Sequence, residues 1–286
     1  NAGDMSSAVN LIATGTAATI AEARAIDAFT NSGTNTYEIS GAIATFIDAN
    51  PTNQAAINAA VEGASGTVTA TGAATVAQAE VVSALTKAVV YSVSDTPTAI
   101  EGASAAALNE AVDVTSTGAA STVAQANAVM AATNSGTTTV DTVTDTSANV
   151  LTLATGSNDV VTTINVSDTV DAATANAIAA LDTGTNITNT VAFTAISDTS
   201  ANLATVADAV LAAAGANGIT ATNSMSIAEY DVLAAAITIG NVDNFSLTDT
   251  FTNISVKADP GGAFTNAAAF GGATSVTVTD ALTIAQ

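Results

Sequence analysis

"STVAQANAVMAATNSG", Ser121 to Gly136, opens with a threonine followed three residues later by a glutamine, Thr122 and Gln125. That spacing is a capping box: the hydroxyl accepts the N3 amide, and the glutamine side chain reaches back to the N-cap amide. The phrase returns as "TIAEARAIDAFTNSG" from Thr19, "ATVAQAEVVSALTKA" from Ala74, "SIAEYDVLAAAI" from Ser226 and "TIAQ" from Thr283 to Gln286. A degenerate copy, "DAATANAIAALDTG", starts at Asp171. Behind Thr75 come Val76, Ala79, Val82 and Leu85, an apolar stripe at helical spacing, so the phrase opens an amphipathic helix. Its six starts recur with a period of about 53 residues, and a fixed period of this size marks a repeat architecture.

A second phrase lies between the copies: "VSDT" at Val93, "VTDT" at Val143, "ISDT" at Ile196 and "LTDT" at Leu247. Alternating or β-branched residues precede it and a helical pattern follows, so its Asp or Thr is expected to end a strand and cap the next helix. Further strands are expected in "TVTATG" at Thr67, "VDVTST" at Val112, "TINVSD" at Thr163, "ITATN" at Ile219 and "SVTVTD" at Ser275. Each period then reads helix, strand, helix, strand, or about ten βα units of roughly 26 residues. Alternation of this kind implies parallel pairing with right-handed crossovers. The expected fold is an α/β repeat solenoid with a parallel sheet on one side and helices on the other, close in unit size to leucine-rich repeats. The alternative is a two-sheet parallel β-solenoid with helical insertions. A single array over residues 1–286 is expected, with 1–18 atypical and 19–286 holding about five repeats.

Composition removes several function classes. The chain of 286 residues carries three basic residues, Arg24, Lys87 and Lys257, against 25 acidic ones, for a net charge of −22. Such a chain does not neutralise phosphates, so nucleic acid is excluded as a partner, as are anionic membrane surfaces. It favours solubility and cation binding. Hydrophobic residues make up 48% of the chain and aromatic ones only 3%, so its core consists of small side chains in closely spaced layers. There is no cysteine, hence no disulfide or zinc–thiolate site. No apolar run reaches the roughly 18 residues of a membrane helix. The chain starts at Asn1 without a signal peptide, as expected of a processed protein or a piece of a longer one.

The segments "TDTSANV" at Thr144 and "SDTSANL" at Ser197 resemble repeats of very large cell-surface and secreted proteins, the adhesin-like or surface-layer-like chains of cyanobacteria and proteobacteria. The resemblance covers most of the chain and is weakest in the first 70 residues. It implies an extracellular structural or adhesive role, often dependent on calcium. The glycine-rich nonapeptide of calcium β-rolls and the EF-hand loop are both absent.

No residue pattern points to catalysis. There is no histidine, neither Lys87 nor Lys257 stands in Ser-x-x-Lys, and no phosphate-cradling glycine motif occurs. Carboxylates do acid–base work in pairs, whereas here they are spread along the repeats. Asp95, Asp145, Asp198 and Asp249 share one repeat position, and Asp168 and Asp280 hold the matching place on the other strand type. Stacked carboxylates repel, and solvent, backbone amides or a cation must relieve them. Calcium takes six to eight oxygens, which Asp, Thr and loop carbonyls supply, so these six residues are candidate calcium ligands. The alternative is that each Asp only caps its helix.

Alternation also places Val68, Val114, Val166 and Val278 inward, with Thr69, Thr71, Thr115, Ser167, Thr220, Thr222, Thr277 and Thr279 outward. A flat threonine ladder suits ice or a sugar lattice, and equally suits a soluble strand. The sequons at Asn165, Asn186, Asn244 and Asn253 are no more than this composition produces by chance.

The expectation is therefore a non-enzymatic extracellular protein forming a filament, sheath or surface layer. The alternative is an adhesive stalk that binds a lattice or a surface polysaccharide. Ending at "TIAQ" stops a helix after its capping box, so head-to-tail continuation with other copies is expected.

Overall fold

The computed structural model describes residues 10–154, 159–181, 187–214, 218–236, 245–258 and 273–280. The box at Thr283 and the sequons at Asn186 and Asn244 lie outside the described residues.

The other boxes form as the spacing predicts. Thr19 and Glu22 open the helix Ile20–Asp27, Thr75 and Gln78 open Val76–Ser83, and Thr122 and Gln125 open Val123–Met130. Ser226 and Glu229 make the same reciprocal bonds before Ile227–Ala236. In the degenerate copy Asp171 accepts the Thr174 amide at 2.7 Å ahead of Ala172–Leu181.

Strands follow in chain order: β1 Leu11–Ile12, β2 Asn35–Thr36, β3 Ile39–Ala42, β4 Val68–Ala74, β5 Val89–Asp95, β6 Val114–Ser116, β7 Thr138–Asp145 and β8 Asp159–Val170. After these come β9 Ile187–Asp198, β10 Ile219–Ala221, β11 Ser224–Met225, β12 Phe245–Asp249 and β13 Ala273–Val278. About ten strands are expected, and the structure has thirteen among the described residues because β1, β2 and β11 are two-residue pieces. β3 to β10 form one eight-stranded sheet in which every strand lies beside its neighbours in the chain. β1 pairs with β2, and β11, β12 and β13 form a three-stranded sheet. Pairing is parallel, as strands joined by helical crossovers must be.

The chain divides into two compact units, residues 1–141 with 154–160, and 142–153 with 161–286. In the first, Val93, Val114 and Thr138 stand in register and are all buried, as are Val68 and Val89. The helices Ile20–Asp27 and Pro51–Glu62 pack together there, as do Val76–Ser83 and Ala105–Asn109. In the second, Val170, Ile196 and Ile219 form one buried row and Met225 with Leu247 another. Rows of stacked aliphatic side chains remove apolar surface from water in small, repeated amounts.

Small residues are not the whole core. Tyr37 and Tyr91 are buried and donate their hydroxyls to the carbonyls of Ala60, at 2.7 Å, and Ala107, at 3.0 Å. Each bond satisfies a helix carbonyl that the helices Pro51–Glu62 and Ala105–Asn109 leave over at their ends. The inward valines are buried at positions 68, 114 and 166, whereas Val278 is half-buried. Of the outward set, Thr71, Ser167, Thr222, Thr277 and Thr279 are exposed, and Thr69, Thr115 and Thr220 are half-buried.

Candidate functional site

The strand-end carboxylates carry the most regular polar geometry of the molecule. Thr96, Thr199 and Thr250 are the N-caps of the helices that follow their strands, and their hydroxyls accept the amides of Ala99, Asn202 and Asn253. Of the two residues expected to cap the next helix it is thus the threonine that does so, and the aspartate before it does something else. One oxygen stays local: Asp95, Asp145, Asp198 and Asp249 each accept the amide of the following threonine at 2.7–2.8 Å. Three of them also accept the side-chain amide of an asparagine four residues on, Asn149, Asn202 or Asn253.

The second oxygen reaches back to the previous βα segment. Asp95 Oδ2 accepts the amide of Val76 at 2.9 Å, Asp198 Oδ2 that of Ala172 at 3.1 Å, and Asp249 Oδ2 that of Ile227 at 2.9 Å. Each donor is the first residue of a helix, where backbone amides have no intrahelical acceptor. On the other strand type, Asp168 accepts both the amide and the hydroxyl of Ser147, at 2.6 and 2.8 Å, and Asp280 accepts the amide of Phe251 at 2.6 Å. Asn223 does the same for Ser200 at 2.7 Å through a neutral carbonyl. The helix opened by Thr75 is therefore completed by an oxygen 19 residues away from the amide it binds.

A second set of ties runs between successive segments. Glu62 accepts the amides of Thr86 and Lys87, Glu80 that of Ser104, Asn109 that of Thr133 and Asp113 that of Thr137, each across 24 or 25 residues. None of these acceptors, nor Asn223, is picked out by the aspartate phrase. The only sequence signal that finds Glu62, Glu80, Asn109 and Asp113 is a polar acceptor about 24 residues before a loop amide, and that is no motif.

The charges respond to these contacts. Asp198 is held below the ordinary aspartate range first by the Asn202 side chain, then by the amides of Thr199 and Ala172. Asp249 is lowered first by the Asn253 side chain, then by the amides of Ile227 and Thr250. For Asp168, burial is the largest influence and pushes upward, but the hydroxyl and amide of Ser147, with the backbone amide of Asp168 itself, hold it below the ordinary range. The charge of Asp145 also pushes Asp168 upward, so these two carboxylates feel each other's field.

Among the described residues no three or more His, Cys, Asp or Glu side chains converge as an ion-binding group. The six candidate ligands are distributed over separate joints, with Asp145 and Asp168 as neighbours. A shallow cleft between the helices Ile20–Asp27 and Pro51–Glu62 is lined by alanines with Arg24 and Asp27. Asn165 donates to Thr144 and Asn253 to Asp249, so the two described sequons already use their side-chain amides.

Fold and site together define a parallel α/β protein in which successive segments are tied by side-chain oxygens on helix-opening and loop amides. No family model, curated protein or solved structure matches this chain. Among the described residues no helix is long and apolar enough to cross a membrane.

Proposed function

We propose that this protein is a non-enzymatic structural component of the cell surface, an α/β solenoid whose repeats stack end to end into a filament, sheath or surface layer. The observation that carries the reading is the use of its carboxylates. Those at the strand ends are spent on backbone amides of the preceding segment, and Glu62, Glu80 and Asp113 on amides of the following one, with no group of three or more converging among the described residues. The sheet supports the same reading. Open α/β sheets bind ligands where the strand order reverses, and β3 to β10 run in unbroken chain order. A net charge of −22 suits an exposed, hydrated surface and makes calcium the natural counter-ion, with Asp145 and Asp168 the pair it would relieve.

An adhesive or lattice-binding stalk is the second reading, and one observation favours it. Ser94, Thr115 and Thr139 stand in register on adjacent strands, presenting hydroxyls at the strand spacing of about 4.8 Å. Such a row matches a regular surface such as a polysaccharide or ice.

Electron microscopy and scattering on the native material, with and without a calcium chelator, separate these readings. The structural role predicts continuous assemblies of stacked repeats. A monodisperse 27.6 kDa monomer that binds polysaccharide favours the stalk, and a monodisperse monomer that binds none defeats both. Calcium at the joints predicts a melting temperature several degrees lower in chelator, since a ligand of the native state stabilises by mass action.

A further inference from the structure

Five segments place an equivalent residue two positions from the end of their strand, inside or beyond it: Gly72, Gly118, Asp168, Asn223 and Asp280. Each lies four positions after an aliphatic residue of the strand, respectively Val68, Val114, Ile164, Ile219 and Val276. The helix one segment earlier begins, in the same order, with Pro51, Pro97, Ser147, Ser200 and Phe251. Where that first residue has an amide, the strand end supplies an oxygen to it: Asp168 to Ser147, Asn223 to Ser200 and Asp280 to Phe251. Where it is proline there is no N–H to satisfy, and the strand end is glycine.

We propose that proline with glycine, and amide with carboxylate or carboxamide, are two interchangeable closures of the same joint between βα segments. Three features carry this. First, an added Cβ on Gly72 or Gly118 meets nothing within 4 Å, so crowding does not keep a side chain out. Second, both glycines have positive φ, +79° and +87°, a conformation open to glycine and tolerated by asparagine but costly for most residues. With no amide to reach, the chain is released to take this tighter exit. Third, the N-cap backbones are extended at both kinds of joint: Asn50 before Pro51 has φ −81° and ψ 117°, and three others agree closely. Thr96 before Pro97 has φ −68° and ψ 152°, Thr146 before Ser147 has −68° and 154°, and Thr199 before Ser200 has −66° and 152°. That extended geometry is what a residue preceding proline requires, and proline at the first helical position loses no intrahelical bond. The inference concerns how the segments are joined and holds under either functional reading above.

Two double-mutant cycles on the full chain test it, read as thermal unfolding. D168G leaves the Ser147 amide without its acceptor and is expected to lower the melting temperature by about 2–4 °C, the scale of a lost cap. S147P/D168G is expected to lose less than the two single changes combined, because the proline removes the amide that the glycine orphans. In the opposite direction P97S installs an unpartnered amide and lowers the melting temperature. P97S/G118N is expected to recover part of the loss and to protect the amide introduced at position 97 from hydrogen exchange. Additive losses in both cycles, with that amide unprotected, would overturn the proposal. If D168G fails to fold, the P97S cycle and its exchange readout decide the question alone.

Discussion

At the scale of single residues, a dipeptide divides two tasks that one residue would ordinarily perform. In Asp198-Thr199 the threonine caps its own helix, and the aspartate holds its neighbour's amide, the Asn202 side chain and the Ala172 amide of the previous segment. D198A is therefore expected to cost about 1 kcal/mol, within the usual range of cap deletions, measured by denaturant unfolding. D198N is expected to cost clearly less, since a carboxamide oxygen still accepts, as Asn223 does for Ser200. Equal losses for the two variants would mean that the charge, not the acceptor, matters.

The same contacts set a pH dependence. Asp198 and Asp249 have folded pKa values below those of an unfolded chain. Their stabilisation is then present in full above about pH 4, where unfolded aspartate is also ionised, and is lost as pH falls through the lower folded values. Approaching the isoelectric point near 4.1 also relieves repulsion among the acidic groups and works the other way. The difference between wild type and D198N/D249N cancels that shared effect. Its size is expected to shrink as pH falls from 7 to 3, and a constant difference would contradict the assignment.

Among elements, the helices are short, several of only four or five residues, and such lengths are not stable alone. Their order comes from ends that are satisfied from outside. Tyr91 shows this at a C-terminal end, where its hydroxyl meets the Ala107 carbonyl and burial, with help from the charge of Glu110, pushes its pKa up to about 12. Y91F is expected to destabilise by about 1 kcal/mol, because a buried carbonyl loses its donor while the ring still fills its place. An unchanged unfolding midpoint would show that another donor reaches that carbonyl. Gly136 is constrained differently: a Cβ there would stand 2.6 Å from the Val112 carbonyl oxygen and closer still to Asp113 Oδ1. Its absence of a side chain lets the loop amide at 136 bond Val112.

For the whole molecule, the solenoid proposed above predicts that stability sums many modest ties between neighbouring segments. β13 shows what one more neighbour contributes. Val276 stands in register with Leu247, which is fully buried, yet Val276 is 43% exposed. The alternation of strands and helices, the parallel pairing and the four described capping boxes were legible in the sequence, because each rests on residues within a few positions of one another. Thr75 and Gln78 meet in any helix they begin. What the aspartates bind was not legible. The partner of Asp95 is a backbone amide, which every residue but proline possesses, and it lies 19 residues away across a strand pairing that no local pattern specifies. Sequence periodicity marked which carboxylates were equivalent. Only the stacking of one strand against the next decided that their second oxygen faces the preceding helix, since that direction exists once the parallel register has brought two segments together.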